Sequence, residues 1–344
     1  MQRDQTLSRI AFLLLLALSL VACGGSGNTG AAATSTPGAS TNQAGTGPKG
    51  LPLYCPLSVT VDRQDAIYVS DNDDSAVHER IIKLSPQGQA LGEWHPFPPD
   101  RLGTTQGPGS MAIDSQGNMY VADLGRSKVL KLSPTGAIVT SWGTYGSGPG
   151  QFTQITAIAL DSHSNVYVGD FDSDTGRIEK FTNTGKLLSI FIPTIKGSQQ
   201  DQFVPSNLAF DGSDTLYVAD NLYLIKLSTT GQVLDYLKIA DANVVTLKFW
   251  QGISVNAHGD VYAIQLIMDS DKYYPRIMKI DFAAGKVLAV LNVWKTGIEV
   301  VNSIAVDSQG NVYATDKGKT GPTQLQKFSP TGALLATWQG TCSV

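Results

Sequence analysis

Charge, histidine and long apolar runs are all scarce in this chain. Charged residues make up 16% of its 344 residues and sum to a formal −4, which gives no electrostatic reason to expect nucleic acid. Its four histidines, His78, His95, His163 and His258, are scattered and form no cluster of the kind a histidine-bound metal needs. The one long apolar run, Ile10 to Val21, has twelve residues, too few to span a bilayer as a mature helix. Within the repeats described next, no stretch keeps a helical period of apolar residues for three turns. What the chain does have is 35 glycines and 42% hydrophobic residues, the balance of a globular protein with many turns.

One block recurs. Ala112 to Asp123, AIDSQGNMYVAD, returns as Ala159 to Asp170, Ala209 to Asp220 and Ala305 to Asp316, with diverged copies at Thr60 to Asp71 and Ser254 to Gln265. Its first polar marker (Asp62, Asp114, Asp161, Asp211, Asn256, Asp307) recurs at intervals of 52, 47, 50, 45 and 51 residues. A tyrosine follows each marker by six positions, and a lysine comes later in each copy: Lys83, Lys131, Lys180, Lys226, Lys279 and Lys327. Five residues after the lysine, or six in the fifth copy, stands a turn glycine, and then an apolar run that often ends in an aromatic.

Each copy reads as four short strands, because β-branched and aromatic residues lie between turn formers such as SQG and PTG. One such sheet cannot bury both of its faces, whereas a ring of them can. Six copies therefore predict an all-β, six-bladed β-propeller of four-stranded antiparallel blades. The D-x-x-G-N-x-Y-V-A-D core, the following K-[LF]-S-x-x-G and the link Gly143 to Phe152 resemble NHL repeats over nearly all of Pro56 to Gly340. That resemblance implies a fold and leaves function open, since NHL propellers include binding modules, sensor ectodomains and a few enzymes.

An active site is used once, so residues that every copy carries are read as architectural. The end-of-strand aspartates Asp71, Asp123, Asp170, Asp220 and Asp316 are expected to receive backbone N–H groups or cap strands, and the lysines to lie along blade surfaces.

The amino terminus carries a different signal. Residues 1–22 read as a signal peptide, and Leu20 to Cys23, LVAC, resembles the bacterial lipobox, which implies a lipidated and N-acylated (palmitate-bearing) Cys23. Residues 23–50, with almost no large apolar side chain, read as a flexible tether, leaving 51–344 for the propeller. The expected location is extracytoplasmic, with the lipid holding a monomeric protein to the bacterial cell membrane or outer membrane. The two remaining cysteines, Cys55 and Cys342, flank the point where the last blade must meet the first, a placement that favours a disulfide in an exported protein. The sixth copy already has its own outer strand, Ala333 to Trp338, so closure by an amino-terminal strand is not expected.

Function is expected where the copies differ. The distance from the end-of-strand marker to the lysine runs from six residues (Asp220 to Lys226) to fourteen (Gln265 to Lys279), which predicts variable loops on a constant frame. The candidate ligand-binding residues are Asp73, Asp74 and His78 in the first loop, Asp172 and Asp174 in the third, and Asp269, Asp271, Tyr273 and Tyr274 in the fifth. The alternating acids of Asp170 to Gly176 match a calcium loop only in part, so no cofactor is expected beyond a candidate Ca2+. The favoured reading is a binding or scaffolding module for a protein, peptide or glycan. The alternative is a metal-dependent lyase or lactonase of the gluconolactonase-like six-bladed type, drawing on Asn207 and Asp172. In the related lactonases acidic and amide residues hold a metal at the channel end of the inner strands. Here those positions, four before each marker, are Ser58, Ser110, Ala157, Asn207, Gly252 and Ser303, with no carboxylate among them.

Overall fold

A computed structural model describes residues 53–72, 79–97, 108–172, 175–195, 203–220, 222–238, 247–269, 272–316 and 323–340. Blade 1 contains β1 (Cys55–Val61), β2 (Ile67–Asn72), β3 (Arg80–Leu84) and β4 (Ala90–Trp94), and blade 2 contains β5 (Pro108–Ile113), β6 (Met119–Asp123), β7 (Lys128–Leu132) and β8 (Ile138–Trp142). Blade 3 contains β9 (Ile155–Leu160), β10 (Val166–Phe171), β11 (Gly176–Phe181) and β12 (Leu187–Phe191), and blade 4 contains β13 (Pro205–Phe210), β14 (Leu216–Asp220), β15 (Tyr223–Leu227) and β16 (Val233–Lys238). Blade 5 has β17 (Leu247–Val255), β18 (Val261–Asp269), β19 (Lys272–Asp281) and β20 (Lys286–Leu291), and blade 6 has β21 (Val301–Val306), β22 (Val312–Asp316), β23 (Gln324–Phe328) and β24 (Leu334–Gln339).

Within each blade the strands pair antiparallel in chain order, and the six innermost strands stand side by side, β1 next to both β5 and β21. This is the six-bladed propeller that the repeats predict. The core is not one mass but six apolar clusters, one at each junction between consecutive blades. The second strand of a blade lies inside on both faces, so β6, β14 and β22 are buried at every position. The fourth strand has solvent on one side and keeps exposed aliphatics such as Leu91, Val139 and Leu335.

The repeated markers build the turns. Asp114 Oδ1 accepts the N–H groups of Gln116 and Asn118 (2.9 Å each), which fixes the β5–β6 turn, and its other oxygen accepts the Tyr120 hydroxyl (3.4 Å). The same tyrosine hydroxyl to marker bond, 3.1–3.3 Å, occurs in blades 1, 3, 4 and 6. In all six blades the lysine lies over that tyrosine, Nζ 4.8–5.4 Å from the ring centroid. The lysines thus rest on rings, and those of blades 1, 3 and 6 also meet the marker carboxylate at 3.5–3.7 Å.

Neighbouring blades are joined by contacts that involve the same repeat positions. Lys131 and Lys180 donate to carbonyls in the next blade's outer turn, Asn183 O (3.3 Å) and Thr229 O (3.5 Å). Across the seam Lys327 donates to Pro86 O in the same way (3.3 Å). Leu53, just before β1, bridges to Gly340 after β24, and Thr323 Oγ1 donates to Tyr54 O (2.7 Å). The seam is therefore closed by the contacts that close the other junctions, with β24 completing blade 6 as expected. Cys55 is buried at the head of β1, whereas its expected partner Cys342 lies outside the described residues, as does Cys23.

Candidate functional site

The links between blades and the β2–β3-type loops share one face of the ring, and the end-of-strand carboxylates lie just beneath it. Asp71 accepts Tyr54 N–H (2.9 and 3.0 Å) and binds the Arg80 guanidinium through Nε (2.9 Å) and Nη2 (2.7 Å). Asp170 accepts the N–H groups of Thr153 and Gln154 (2.9 Å each), Asp220 that of Val204 (3.2 Å), and Asp316 those of Glu299 (3.2 Å) and Val300 (3.0 Å). Asp123 caps a short 3-10 turn, Leu124–Arg126. In each blade that carries it, this aspartate fastens the preceding inter-blade link or the following turn. Burial pushes the carboxyls of Asp71 and Asp170 up from the ordinary range, and the backbone N–H donors and arginines only partly offset that.

Arg177 gives the loop face of blade 3 its rigidity. Its guanidinium pairs with Asp170 (3.0 Å) and Glu179 (2.8 Å) and donates to the carbonyls of Ser147, Gly148 (3.1 Å) and Gln151 (2.7 Å). Glu179, wholly buried, accepts Gly150 N–H (2.8 Å). The glycine-rich link is an anchored inter-blade connection that leads into β9.

At the channel, the small polar residues are joints between inner strands. Ser110 Oγ accepts Ile158 N–H (3.0 Å), and Ser303 Oγ accepts Val59 N–H across the seam (3.2 Å). Asn207 is half-buried in β13, opposite Ala219. Among the described residues no group of three or more His, Cys, Asp or Glu side chains is placed to hold a metal. His163 and His258 are exposed in first turns, and His95 pairs with Glu93 (3.2 Å).

The candidate loop residues divide. Asp172 closes its own turn, Oδ1 accepting Thr175 N–H (2.8 Å). Asp73, Asp74, His78, Asp174 and Asp271 lie outside the described residues, as do the side chains of Asp269 and Tyr273. The fifth loop needs correction: most of Met268 to Arg276 is strand. β18 and β19 stay paired through Leu266↔Pro275, Ile267↔Tyr274, Met268↔Tyr273 and Asp269↔Lys272. Those four pairs lie beyond Gln265↔Arg276, the level at which Asp71↔Arg80 and Asp170↔Arg177 sit in the other blades, so the sheet projects about 13 Å further. β17 extends with it, Leu247 pairing Met268. The ladder runs on through a stretch whose charges and Pro275 look loop-like.

Two aromatic pairs on this side of the ring were not legible in the repeats. Trp294, 43% exposed in a 3-10 turn (Val293–Thr296) that packs on β19, meets Tyr274 edge to face with centroids 5.7 Å apart, and Lys295 Nζ lies 5.5 Å from the indole centroid. In blade 4, Tyr223 and Tyr236 meet edge to face at 5.8 Å, with Lys238 Nζ 5.9 Å from the Tyr223 ring. Tyr223 stands where blades 1 and 3 have arginine.

Comparison with known proteins agrees with the architecture. Human NHL repeat-containing protein 3 is 24% identical over 246 residues, which is 65% of this chain. The chain is an NHL-type β-propeller. Mouse peptidyl-glycine alpha-amidating monooxygenase is 30% identical over 150 residues, 39% of the propeller chain. The chain spans 59% of the length of the human protein and 14% of the mouse one. Among solved structures, virginiamycin B lyase from Staphylococcus aureus superposes with a TM-score of 0.53 at 14% identity, over 83% of this propeller chain and 85% of the lyase, a likeness of fold. No family model matches the chain.

Proposed function

We propose that this NHL-type propeller is an extracytoplasmic binding or scaffolding module, held to a bacterial membrane by lipid on Cys23, whose loop face recognises a protein, peptide or glycan. The observation that carries the reading is the division of labour among residues. The carboxylates, lysines and tyrosines that recur are spent on turns, links and blade junctions, while the projecting sheet of blade 5 and the Tyr274–Trp294 pair beside it occur once. Propellers of this kind commonly serve as interaction scaffolds, which supports the same conclusion. Capture of partners from the native envelope, followed by binding of the purified partner, tests it. The comparison protein has Asp73, Asp74, Asp172, Asp174, Asp269 and Asp271 changed to asparagine. Failure to enrich any partner over an unrelated propeller would sink the reading.

The enzyme alternative draws support from the likeness of fold to virginiamycin B lyase. It asks for a metal or catalytic cluster at the channel mouth built on Asn207 and Asp172, and Asp172 already uses one oxygen in its own turn. Stabilisation by calcium, magnesium, manganese or zinc in a thermal-shift titration would favour the alternative.

A further inference from the structure

Of the four tryptophans whose side chains are described, three serve the ring. Trp94, Trp142 and Trp338 close their blades' outer strands and lie against Gly136, Gly185 and Gly88 of the following blade. Trp294 touches no turn glycine, is the most exposed of them, and belongs to the one inter-blade link that carries a 3-10 turn among the described residues. It stands beside the projecting sheet at Tyr274.

The lysines over Tyr68, Tyr167 and Tyr313 meet the marker aspartates, and Lys279 pairs with Asp260 at 2.7 Å. Lys295 lies over the Trp294 ring and, like Lys131 and Lys226 over theirs, meets no carboxylate among the described residues. On a chain of net charge −4, Lys295 thus sets an ammonium group beside an exposed indole. Exposed aromatics with a neighbouring cation make a rigid contact surface at little entropic cost. They suit a ligand that presents an apolar or aromatic side chain next to a carboxylate.

Strand addition along β19 is disfavoured here. The partner strand β20 stops at Leu291↔Ile277, but the edge above it contains Pro275, which has no N–H, and the 3-10 turn packs against it. Recognition at this ledge therefore runs through side chains.

Resting on the binding-module reading, we infer that Tyr274, Trp294 and Lys295 form the contact site for an acidic peptide segment of a partner protein, one that sets an aromatic side chain beside Asp or Glu.

The test follows the tryptophan indole N–H resonances of the full chain by NMR, with the Trp294 signal assigned through Trp294→Phe. The probes are acetyl-Gly-Glu-Phe-Glu-Gly-amide, its lysine counterpart, and an oligogalacturonide as the sugar-borne carboxylate. The expected result is a saturable shift of the Trp294 signal with the acidic peptide alone, weakened about five-fold in Lys295→Glu and reduced by salt. No shift, an equal shift with the lysine peptide, or a shift with the oligogalacturonide while the acidic peptide is silent would overturn the inference. If Trp294→Ala and Lys295→Glu capture a native partner as well as wild type does, this site is wrong and the binding reading stands. If the wild type captures nothing, both fall.

Discussion

Trp338, in the last strand of the propeller, packs its indole against Gly88 in the outer turn of the first blade. The same relation, one outer-strand side chain on the next blade's turn glycine, links Trp94 to Gly136, Trp142 to Gly185, Phe191 to Gly231 and Leu291 to Gly332. The ring is thus closed by a contact drawn from the repeat itself. These glycines adopt φ between +82° and +90°, so backbone and packing both favour the missing Cβ.

The two contributions can be separated. Gly136 has φ +82° and an added Cβ would overlap the Trp94 indole, while Gly259 has the same φ with nothing within 4 Å. Gly259→Ala is expected to cost about 1–2 kcal/mol, the left-handed backbone penalty alone. Gly136→Ala is expected to cost about 2 kcal/mol more. Urea denaturation of the two variants checks this, and equal losses would mean that the aromatic contact contributes nothing.

The repeat was legible because each blade needs the same Asx turn, buried tyrosine and lysine, so Asp114, Tyr120 and Lys131 return at nearly fixed spacing. The tryptophan to glycine contact was not, because its partners belong to different copies and no local pattern joins them. The long loop that the sequence predicts in blade 5 is strand for a similar reason. Its extra rungs are set by pairing between β17, β18 and β19, while Asp269, Lys272 and Pro275 carry the composition of a turn. Trp294 carries one signal in the sequence, in that it is a tryptophan away from the end of an outer strand.

On the opposite face a second junction depends on pH. Ser162 donates to Asp214 through its hydroxyl (2.6 Å) and N–H (2.7 Å), as Ser308 does to Asp65 across the seam (2.6 and 2.8 Å). Partial burial alone would raise the Asp214 carboxyl, but the bonds from Ser162 outweigh it and hold the group below its ordinary range. A carboxyl depressed in the folded state stabilises above its unfolded pKa and loses that contribution as pH falls through the folded value. Asp214→Asn, which tolerates the φ of +59°, is therefore expected to lose up to about 1 kcal/mol at neutral pH. The gap to wild type should close as pH drops below the carboxylate range; a gap constant with pH would contradict this.

We propose that Cys55 and Cys342 are joined, adding a covalent lock to a seam already held by Leu53, Thr323, Lys327 and Trp338. Because those contacts remain, reduction should lower the melting temperature without abolishing the fold. Non-reducing mass spectrometry checks the linkage, and full alkylation of both thiols before reduction would refute it.

The central claim is that shared residues hold the propeller together and unshared ones are left for recognition. Two tryptophans allow the most direct comparison, measured as the equilibrium unfolding free energies of Trp338→Ala and Trp294→Ala. Loss of the Trp338 junction is expected to cost about 3 kcal/mol. Loss of Trp294 is expected to stay within about 0.5 kcal/mol of wild type. A Trp294→Ala protein destabilised as much as Trp338→Ala would contradict the account.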